Sequence, residues 1–122
     1  MAKLTLTSPT QKRGEYFEQQ ACKFLQQQGY HLINHNYTCR YGELDLIMTQ
    51  QNYLVFVEVR YRANCTFGSA VETINASKIK KLIAAAEFFC LQHSKYQHWD
   101  KRFDVVAFDG DTLQLITDAI SI

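Results

Sequence analysis

The chain has 122 residues, a length that suits one compact domain over 1–122 with a hydrophobic core and no need of disulfide bonds. Its hydrophobic fraction of 47% and charged fraction of 20% are those of an ordinary globular protein, which excludes a disordered or fibrous chain. The net charge of +1 is too small to indicate nucleic-acid binding by itself, so that function must be argued from where the charges lie.

The cysteines and the amino terminus favour a cytoplasmic protein. The first residues lack the apolar stretch of a signal peptide, and the longest apolar run, from Leu82 to Leu91, is interrupted by Glu87. The cysteines form no C-x-x-C pair, so we expect reduced thiols that fill the core at Cys22, Cys39, Cys65 and Cys90. We expect no membrane segment.

The first predicted element is an amphipathic helix. Ser8 has the form of an N-cap, with Pro9 in the first turn and Gln11 as a capping-box partner, and Gly29 would end the helix. Residues that recur at helical spacing predict its core face, namely Phe17, Ala21, Phe24, Leu25 and Gln28.

Three strands should follow this helix. Alternating apolar and polar residues predict strands over 30–38 and 43–49, joined by a turn at Tyr41-Gly42. After a hairpin turn at 50–52, a third strand over 53–62 begins with four apolar residues in succession, 54–57. Such a run is apolar on both faces, which indicates a central strand covered on both sides.

The second half of the chain predicts one helix and two strands. A loop over 63–73 precedes a helix capped at Asn75, and a polar connection over 93–101 leads to a buried strand over 103–108. A turn at Gly110-Asp111 introduces a last strand over 112–116. The predicted order is α-β-β-β-α-β-β, an α/β fold with a mixed central sheet flanked by helices.

Charge is unevenly spread along the chain. The stretch from Arg60 to Lys81 contains one acid, Glu72, whereas acids collect near the end at Asp104, Asp109, Asp111 and Asp118. This basic middle is available to meet phosphate, and Arg62 and Lys78 are the candidate nucleic-acid contacts. For Lys80 and Lys81 we favour a solvated helix face.

A pair of carboxylates carries the strongest chemical signal. Period-two geometry places Asp45 on the same face as Glu43, and Glu58 on the same face as Arg60 and Arg62. At the depth of Glu58 an unpaired carboxylate costs on the order of several kcal/mol, which a cation would offset. Mg²⁺ typically takes one or two carboxylates together with waters and substrate phosphate. We therefore predict a metal site for Mg²⁺ or Mn²⁺ held by Asp45 and Glu58.

The first helix offers a third acid. Glu15 would reach the same end of the sheet if the helix packs across it, with Gly14 allowing close approach. The alternative is structural: the acids of the second strand alternate on a solvated face, and Glu58 pairs with Arg60 or Arg62.

The same residues resemble a known family, the small bacterial YraN-like proteins of the restriction-endonuclease-like superfamily, which also holds Holliday-junction resolvases. The resemblance runs almost end to end. It covers Gly14-Glu15 and Gly29-Tyr30, the strands Gly42-Glu43-Leu44-Asp45-Leu46-Ile47 and Val55-Phe56-Val57-Glu58-Val59-Arg60, then Lys78 and Arg102-Phe103-Asp104-Val105-Val106.

This resemblance implies a nuclease-like site. By it, Asp45 and Glu58 match the metal carboxylates and Glu15 the helix acid, while Arg60 stands where lysine is usual. Arginine cannot give up its proton, so a mechanism with a general base at this position is closed, but Arg60 can still hold phosphate. The resemblance implies metal-dependent phosphodiester hydrolysis of nucleic acid, DNA rather than RNA, and leaves a homodimer open.

Two alternative interpretations differ from this nuclease prediction. In one, the protein is a nucleic-acid-binding module that has lost turnover, with Arg60 as the trace of that loss. In the other, it is a protein-interaction scaffold, which predicts an exposed apolar patch and no metal affinity.

The remaining candidates have simpler structural explanations. His31 and His35 share a strand face without a clear third ligand, and Asp104 is expected to pair with Arg102 or a neighbouring strand. Some aromatic residues could stack on bases, although such rings more often belong to the core or its rim: Tyr37, Tyr41, Tyr61 and Phe67.

Overall fold

The computed structural model describes residues 9–62 and 74–120, with side chains from residue 13 onward. The predicted cap at Ser8 with Gln11, the loop over 63–73, Cys65 and Phe67 lie outside the described residues or side chains. The elements follow the predicted order: α1 (Pro9–Gln27), β1 (His31–Cys39), β2 (Gly42–Gln50), β3 (Tyr53–Arg62), α2 (Ala76–Gln92), a short 3-10 helix (Ser94–Tyr96), β4 (Asp100–Asp109) and β5 (Thr112–Ile116).

The five strands form one mixed sheet in the spatial order β1-β2-β3-β4-β5. Strands β3 and β4 run parallel, and the other neighbouring pairs are antiparallel. The parallel pair lies on either side of α2 in the chain, as a crossover connection requires. The predicted α/β fold with a mixed sheet and the order α-β-β-β-α-β-β is confirmed.

The core has two layers, one on each side of the sheet. On one side Leu82 and Phe89 of α2 pack with Phe56 of β3, and on the other Ala21 and Leu25 of α1 pack with residues that include Val55 and Val57. Strand β3 is therefore central and covered on both faces, as its apolar run predicts. Gln28 was wrongly assigned to the core face of α1, because it follows the last helical residue and is exposed.

Local sequence sets where α2 begins and how closely it approaches the sheet. The Asn75 side chain accepts a hydrogen bond from the Lys78 backbone N–H at 2.9 Å, which confirms the predicted N-cap. Gly42, at the start of β2, has φ +151, and a Cβ added there would lie 3.5 Å from the Cβ of Lys81. A glycine at this turn therefore suits both the backbone angle and the close approach of α2.

Two predictions concern what the fold does not contain. Within residues 9–62 and 74–120, neither helix is long and apolar enough to cross a membrane. The described cysteines are all free thiols, with Cys90 buried and Cys22 and Cys39 half-buried. Reduced cysteines are thus confirmed for those positions.

Candidate functional site

The candidate site begins where the ladder between β2 and β3 stops. The register pairs run from Gln50↔Tyr53 to Leu46↔Val57 and do not continue to Asp45. Instead the Asp45 Oδ2 atom accepts a hydrogen bond of 2.9 Å from the Val59 backbone N–H. A side chain thus takes the place of a main-chain acceptor and holds the half-buried Asp45 carboxylate at the point where the strands separate.

Glu58, on β3, is a buried and poorly satisfied carboxylate. It is 4% exposed, and its Oε2 atom has no hydrogen-bond partner among the residues that the structure describes. Its Oε1 atom lies 3.7 Å from Arg60 Nε, which counts as an ion pair but is too long for a hydrogen bond. The buried Arg60 Nε likewise has no hydrogen-bond partner. The expected structural pairing of Glu58 with Arg60 is therefore present but weak.

The two carboxylates are in contact. Burial, with the Asp45 carboxylate as the second cause, raises the pKa of Glu58 to about 8, and Lys78 and Arg60 oppose this shift. Two ionised carboxylates can only accept hydrogen bonds, so they attract each other only when one of them is protonated. The structure therefore brings together Asp45, Glu58 and Arg60, which the sequence placed in one site, and adds Lys78, which the sequence assigned to nucleic-acid binding.

A further acid, Glu18 of α1, approaches Asp45 from another element. Burial, followed by the charges of Asp45 and Glu43, raises the pKa of Glu18 to about 7. The Asn36 side chain hydrogen bonds to Glu18 and lowers that pKa in part. Asn36 has φ 51, a left-handed conformation that is uncommon for a residue other than glycine. Such backbone outliers cluster at functional sites.

Sequence reasoning chose Glu15 on this helix and missed Glu18. Glu15 is half-buried, and its Oε1 atom accepts a long 3.4 Å hydrogen bond from Gln19 one turn along α1. The role assigned to Gly14 was wrong, because a Cβ added there would meet nothing within 4 Å. One signal for Glu18 was available: it lies three residues before the buried Ala21, which puts a carboxylate on the apolar face of the helix.

The residues present fit a divalent cation. Glu58 Oε2 is buried without a partner, and the contact between Asp45 and Glu58 concentrates negative charge where a cation would stabilise both ionised groups. Among the described residues there is no group of three or more His, Cys, Asp or Glu side chains in metal-binding arrangement. Any cation held here would therefore take its remaining ligands from water or substrate, as Mg²⁺ commonly does.

The basic candidates lie close to acids in space. Lys78, in the first turn of α2, is near enough to Glu58 to lower its pKa. Arg62, at the end of β3, is the register partner of Asp109 on β4. The basic middle of the sequence therefore stands beside the acidic carboxyl-terminal strands in the fold, and its excess charge is smaller than the sequence suggests. Both His31 and His35 are exposed.

Asp104 belongs to a different, fully satisfied cluster. Its carboxylate accepts bonds of 2.9 Å from both Arg102 Nε and an Arg102 terminal nitrogen, 2.7 Å from the Tyr30 hydroxyl and 2.9 Å from the Asp118 backbone N–H. The predicted pairing of Asp104 with Arg102 is confirmed. With every oxygen engaged at 0% exposure, this carboxylate has a structural role.

The fold and the site together define a class: an α/β protein whose mixed sheet holds a buried carboxylate pair at the point where two strands part. The family model described as "Uncharacterised protein family UPF0102" matches residues 17–108. The chain belongs to this family. The match includes β1 to β3, α2 and most of β4, and it contains Glu18, Asp45, Glu58 and Arg60.

Relatives in several bacteria carry the same family name. A UPF0102 protein of Psychrobacter arcticus is 47% identical over 111 residues, which are 87% of this chain and 64% of that protein. The chain thus spans less than two thirds of that relative. A UPF0102 protein of Pseudomonas syringae pv. tomato is 45% identical, with 88% of this chain and 90% of that protein covered. A UPF0102 protein of Legionella pneumophila subsp. pneumophila is 42% identical, with 83% and 86% covered.

Proposed function

We propose that this protein is a metal-dependent phosphodiesterase of the restriction-endonuclease-like type that acts on nucleic acid, DNA rather than RNA, in the cytoplasm. The observation that carries the proposal is the buried Glu58 carboxylate, which has one oxygen without a partner and lies in contact with Asp45. An unsatisfied buried carboxylate destabilises the metal-free fold, so its presence suits a site completed by a cation.

The proposed roles follow from where the side chains lie. Asp45 and Glu58 would hold Mg²⁺ or Mn²⁺, which lowers the pKa of a bound water and stabilises charge on a phosphoryl group. The backbone N–H of Val59 orients the Asp45 carboxylate. Glu18 of α1 is a helix acid that interacts with Asp45, and the charge of Glu15 on the same helix acts on Glu18. Glu15, the acid implied by the sequence, stays a candidate of the same site.

Cations on two elements face the carboxylates. Arg60 lies 3.7 Å from Glu58, and Lys78 approaches Glu58 from the first turn of α2. Both can stabilise the negative charge that develops on phosphate during hydrolysis, and Arg60 can do so through two parallel hydrogen bonds. Arg62, at the end of the same strand, would bind the nucleic-acid backbone.

A binding module without turnover is the second candidate function. It is favoured by one observation, the arginine at position 60, which cannot act as a general base. The two candidates share the fold, the cation site and nucleic-acid affinity. They differ only in whether the phosphodiester bond is cut.

A cleavage screen over branched, flapped and linear substrates with Mg²⁺ or Mn²⁺ tests the proposal. Wild type should cut at least one substrate, and Asp45→Asn should not, because it weakens a cation ligand while keeping the side-chain volume. Glu43→Gln, an exposed position on the same strand, is the matched control and should cut like wild type. Cation binding that needs Asp45 and Glu58, without cleavage of any substrate, would favour the binding module instead.

A further inference from the structure

Two exposed tyrosines lie in similar aromatic settings, one on α1 and one beside α2. Tyr16 of α1 is 55% exposed and meets Phe17 edge-on, with 5.2 Å between the ring centroids. Tyr41, in the turn between β1 and β2, is 38% exposed and meets Phe88 of α2 edge-on at 5.6 Å. What surrounds each ring decides which surface is shaped for a ligand.

Tyr16 borders a cleft and Tyr41 does not. The cleft at Tyr16 lies between α1 and the β4–β5 turn and has a volume of about 590 Å³. Tyr41 borders a shallow depression of about 160 Å³, lined by residues that include Glu87 and Leu91. Small-molecule sites commonly have volumes of about 300–1,000 Å³, so only the first has room for a flat ring system of that kind. We name it the α1 cleft.

Stacked aromatic rings line the α1 cleft. Phe17 and Tyr61 are nearly parallel, at 22° and 4.1 Å between centroids, and Phe108 lies 4.8 Å from Phe17. The Arg13 guanidinium carbon is 5.8 Å from the centroid of Tyr61. Exposed aromatic rings with cations nearby are the arrangement on which proteins stack the bases of single-stranded nucleic acid.

The polar groups of the cleft suit a base better than an aliphatic ligand. The side chains of Gln20 and Gln27 line it, and each amide offers both donors and acceptors to the edge of a base. Lys23 on the same wall can meet a backbone phosphate. An aliphatic ligand would desolvate these amides and the ammonium without pairing them, which disfavours an apolar partner.

The cleft adjoins the proposed phosphodiesterase site along two elements. Tyr61 lies between Arg60 and Arg62 on β3, and Phe17 directly precedes Glu18 on α1. Because neighbouring residues of a strand point to opposite faces, Tyr61 and Arg60 flank the same end of β3 from its two sides. A nucleic-acid strand passing this end of the sheet would have phosphate-binding groups on one face and a stacking surface on the other.

We propose that the α1 cleft is a stacking site for an unpaired nucleobase, so that the protein recognises single-stranded or extruded bases. The inference rests on the proposed function only in taking nucleic acid as the ligand. Tyr16 is the exposed ring of the site, and the base stacks on it beside the Phe17–Tyr61 pair, whose rings already face each other.

The test uses the full chain and a short single-stranded oligonucleotide that carries one 2-aminopurine, with EDTA present so that no cleavage occurs. Binding should quench the 2-aminopurine fluorescence, because stacking quenches this base. Tyr16→Ala should weaken affinity about tenfold, whereas Tyr16→Phe, which keeps the ring, should bind like wild type. Tyr41→Ala is the matched control and should leave affinity unchanged. A fully paired duplex should bind without the Tyr16 effect.

Each contrary outcome has a distinct meaning. If wild type binds the oligonucleotide and Tyr16→Ala binds it equally well, the cleft inference is overturned and the phosphodiesterase proposal stands. If quenching depends on Tyr16 but no substrate is cut with metal, the cleft inference stands and the phosphodiesterase proposal fails. Absence of binding by wild type overturns the cleft inference, and the cleavage screen with metal decides the phosphodiesterase proposal separately. If sedimentation shows a dimer that Tyr16→Ala dissociates, the occupant is a second copy of the chain and the base-stacking inference is overturned.

Discussion

The Asp104–Arg102 pair on β4 and the Glu58–Arg60 pair on β3 are built from the same chemistry on neighbouring strands. Asp104 is opposite Val57 in the parallel register and Glu58 is opposite Val105, so the two acids point to opposite faces of the sheet. In each pair the acid and the arginine are two residues apart. The difference between the pairs lies in how completely they are satisfied.

The Asp104 pair is saturated and the Glu58 pair is not. Arg102 binds Asp104 through two nitrogens at 2.9 Å, and Tyr30 and Asp118 supply further donors. Glu58 has an ion pair of 3.7 Å and an oxygen without a partner. A saturated pair holds the fold together, whereas an unsaturated buried acid is costly unless something else binds it. The contrast separates a structural acid from a candidate functional one.

The largest expected effect is on stability when the saturated acid is neutralised. Asp104→Asn should lower the free energy of unfolding by roughly 3–5 kcal/mol, because it removes the counter-charge of the half-buried Arg102 and replaces a fully buried acceptor oxygen with an amide donor. Urea denaturation of the metal-free protein measures this change. Glu58→Gln is the matched neutralisation and should not destabilise. Equal losses in the two variants would contradict the distinction between the pairs.

The pH dependence of stability should show that Glu58 prefers to be protonated in the metal-free fold. Its pKa in the fold is about 8 against an ordinary value of 4.5, so between these pH values the folded state keeps a proton that the unfolded chain has already released. The stabilisation of the fold by this bound proton is fully present below pH 4.5 and is lost as the pH rises through 8. Glu18, with a pKa raised to about 7, acts in the same direction.

Glu58→Gln isolates this contribution. Relative to wild type, the variant should gain on the order of a few kcal/mol as the pH rises between the two pKa values, because the wild-type carboxyl loses its proton there and the glutamine amide has none to lose. Denaturation series in EDTA at several pH values give the difference directly. A difference that stays constant with pH would show that Glu58 is ionised in the fold at all those pH values.

A divalent cation should stabilise the protein through the Asp45 and Glu58 carboxylates and not through Asp104. At a hundredfold excess over its dissociation constant, Mn²⁺ should add about 2.7 kcal/mol to the free energy of unfolding of wild type at alkaline pH. Asp45→Asn and Glu58→Gln should lose this gain. Asp104→Asn should keep it, although its free energy of unfolding without Mn²⁺ is lower than that of wild type. Thermal unfolding with and without Mn²⁺ measures the effect. An undiminished gain in Glu58→Gln would place the cation elsewhere.

The smallest expected effect on stability is that of Arg60→Lys, compared with the same substitution at Arg102. Arg60→Lys should change the free energy of unfolding by about 0.5 kcal/mol or less, because the Arg60 Nε atom has no hydrogen-bond partner to lose. Arg102→Lys should cost more, since lysine cannot replace a two-nitrogen contact. Urea denaturation of both variants compares them.

The same substitution sharpens the catalytic proposal. Arg60→Lys should preserve or raise metal-dependent cleavage, and Arg60→Ala should lower it, because both cations can stabilise developing negative charge but alanine cannot. Cleavage rates on one substrate are compared after unfolding curves have been matched. Equal rates for wild type and both variants would remove Arg60 from the mechanism.

The sequence predicted those parts of the site that depend on local geometry. Asp45 and Glu58 lie on strands joined by a tight hairpin, so period-two alternation and the turn position were enough to place them together. The central position of β3 followed from its four apolar residues in succession. The N-cap at Asn75, which sets the first turn of α2, was also local.

What the sequence did not show depends on contacts between distant elements. The interaction of Glu18 with Asp45 is one example, because the way α1 packs on the sheet decides which of its turns come near. Tyr30 and Asp104 are 74 residues apart, so their hydrogen bond could not be read from spacing. The sequence also did not predict that the β2–β3 ladder ends before Asp45, because the point at which pairing stops depends on the register of the two strands.

The spatial order of the strands equals their order in the chain, which bears on how the protein folds. Strands β2 and β3 form a hairpin whose turn contains Gln51, at φ 53, and hairpins of this kind close within about 1–10 μs. Both acids of the candidate site belong to this one hairpin. When both are ionised, their mutual repulsion therefore arises within this hairpin, and we expect neutralisation of either acid to change the rate of folding as well as the rate of unfolding.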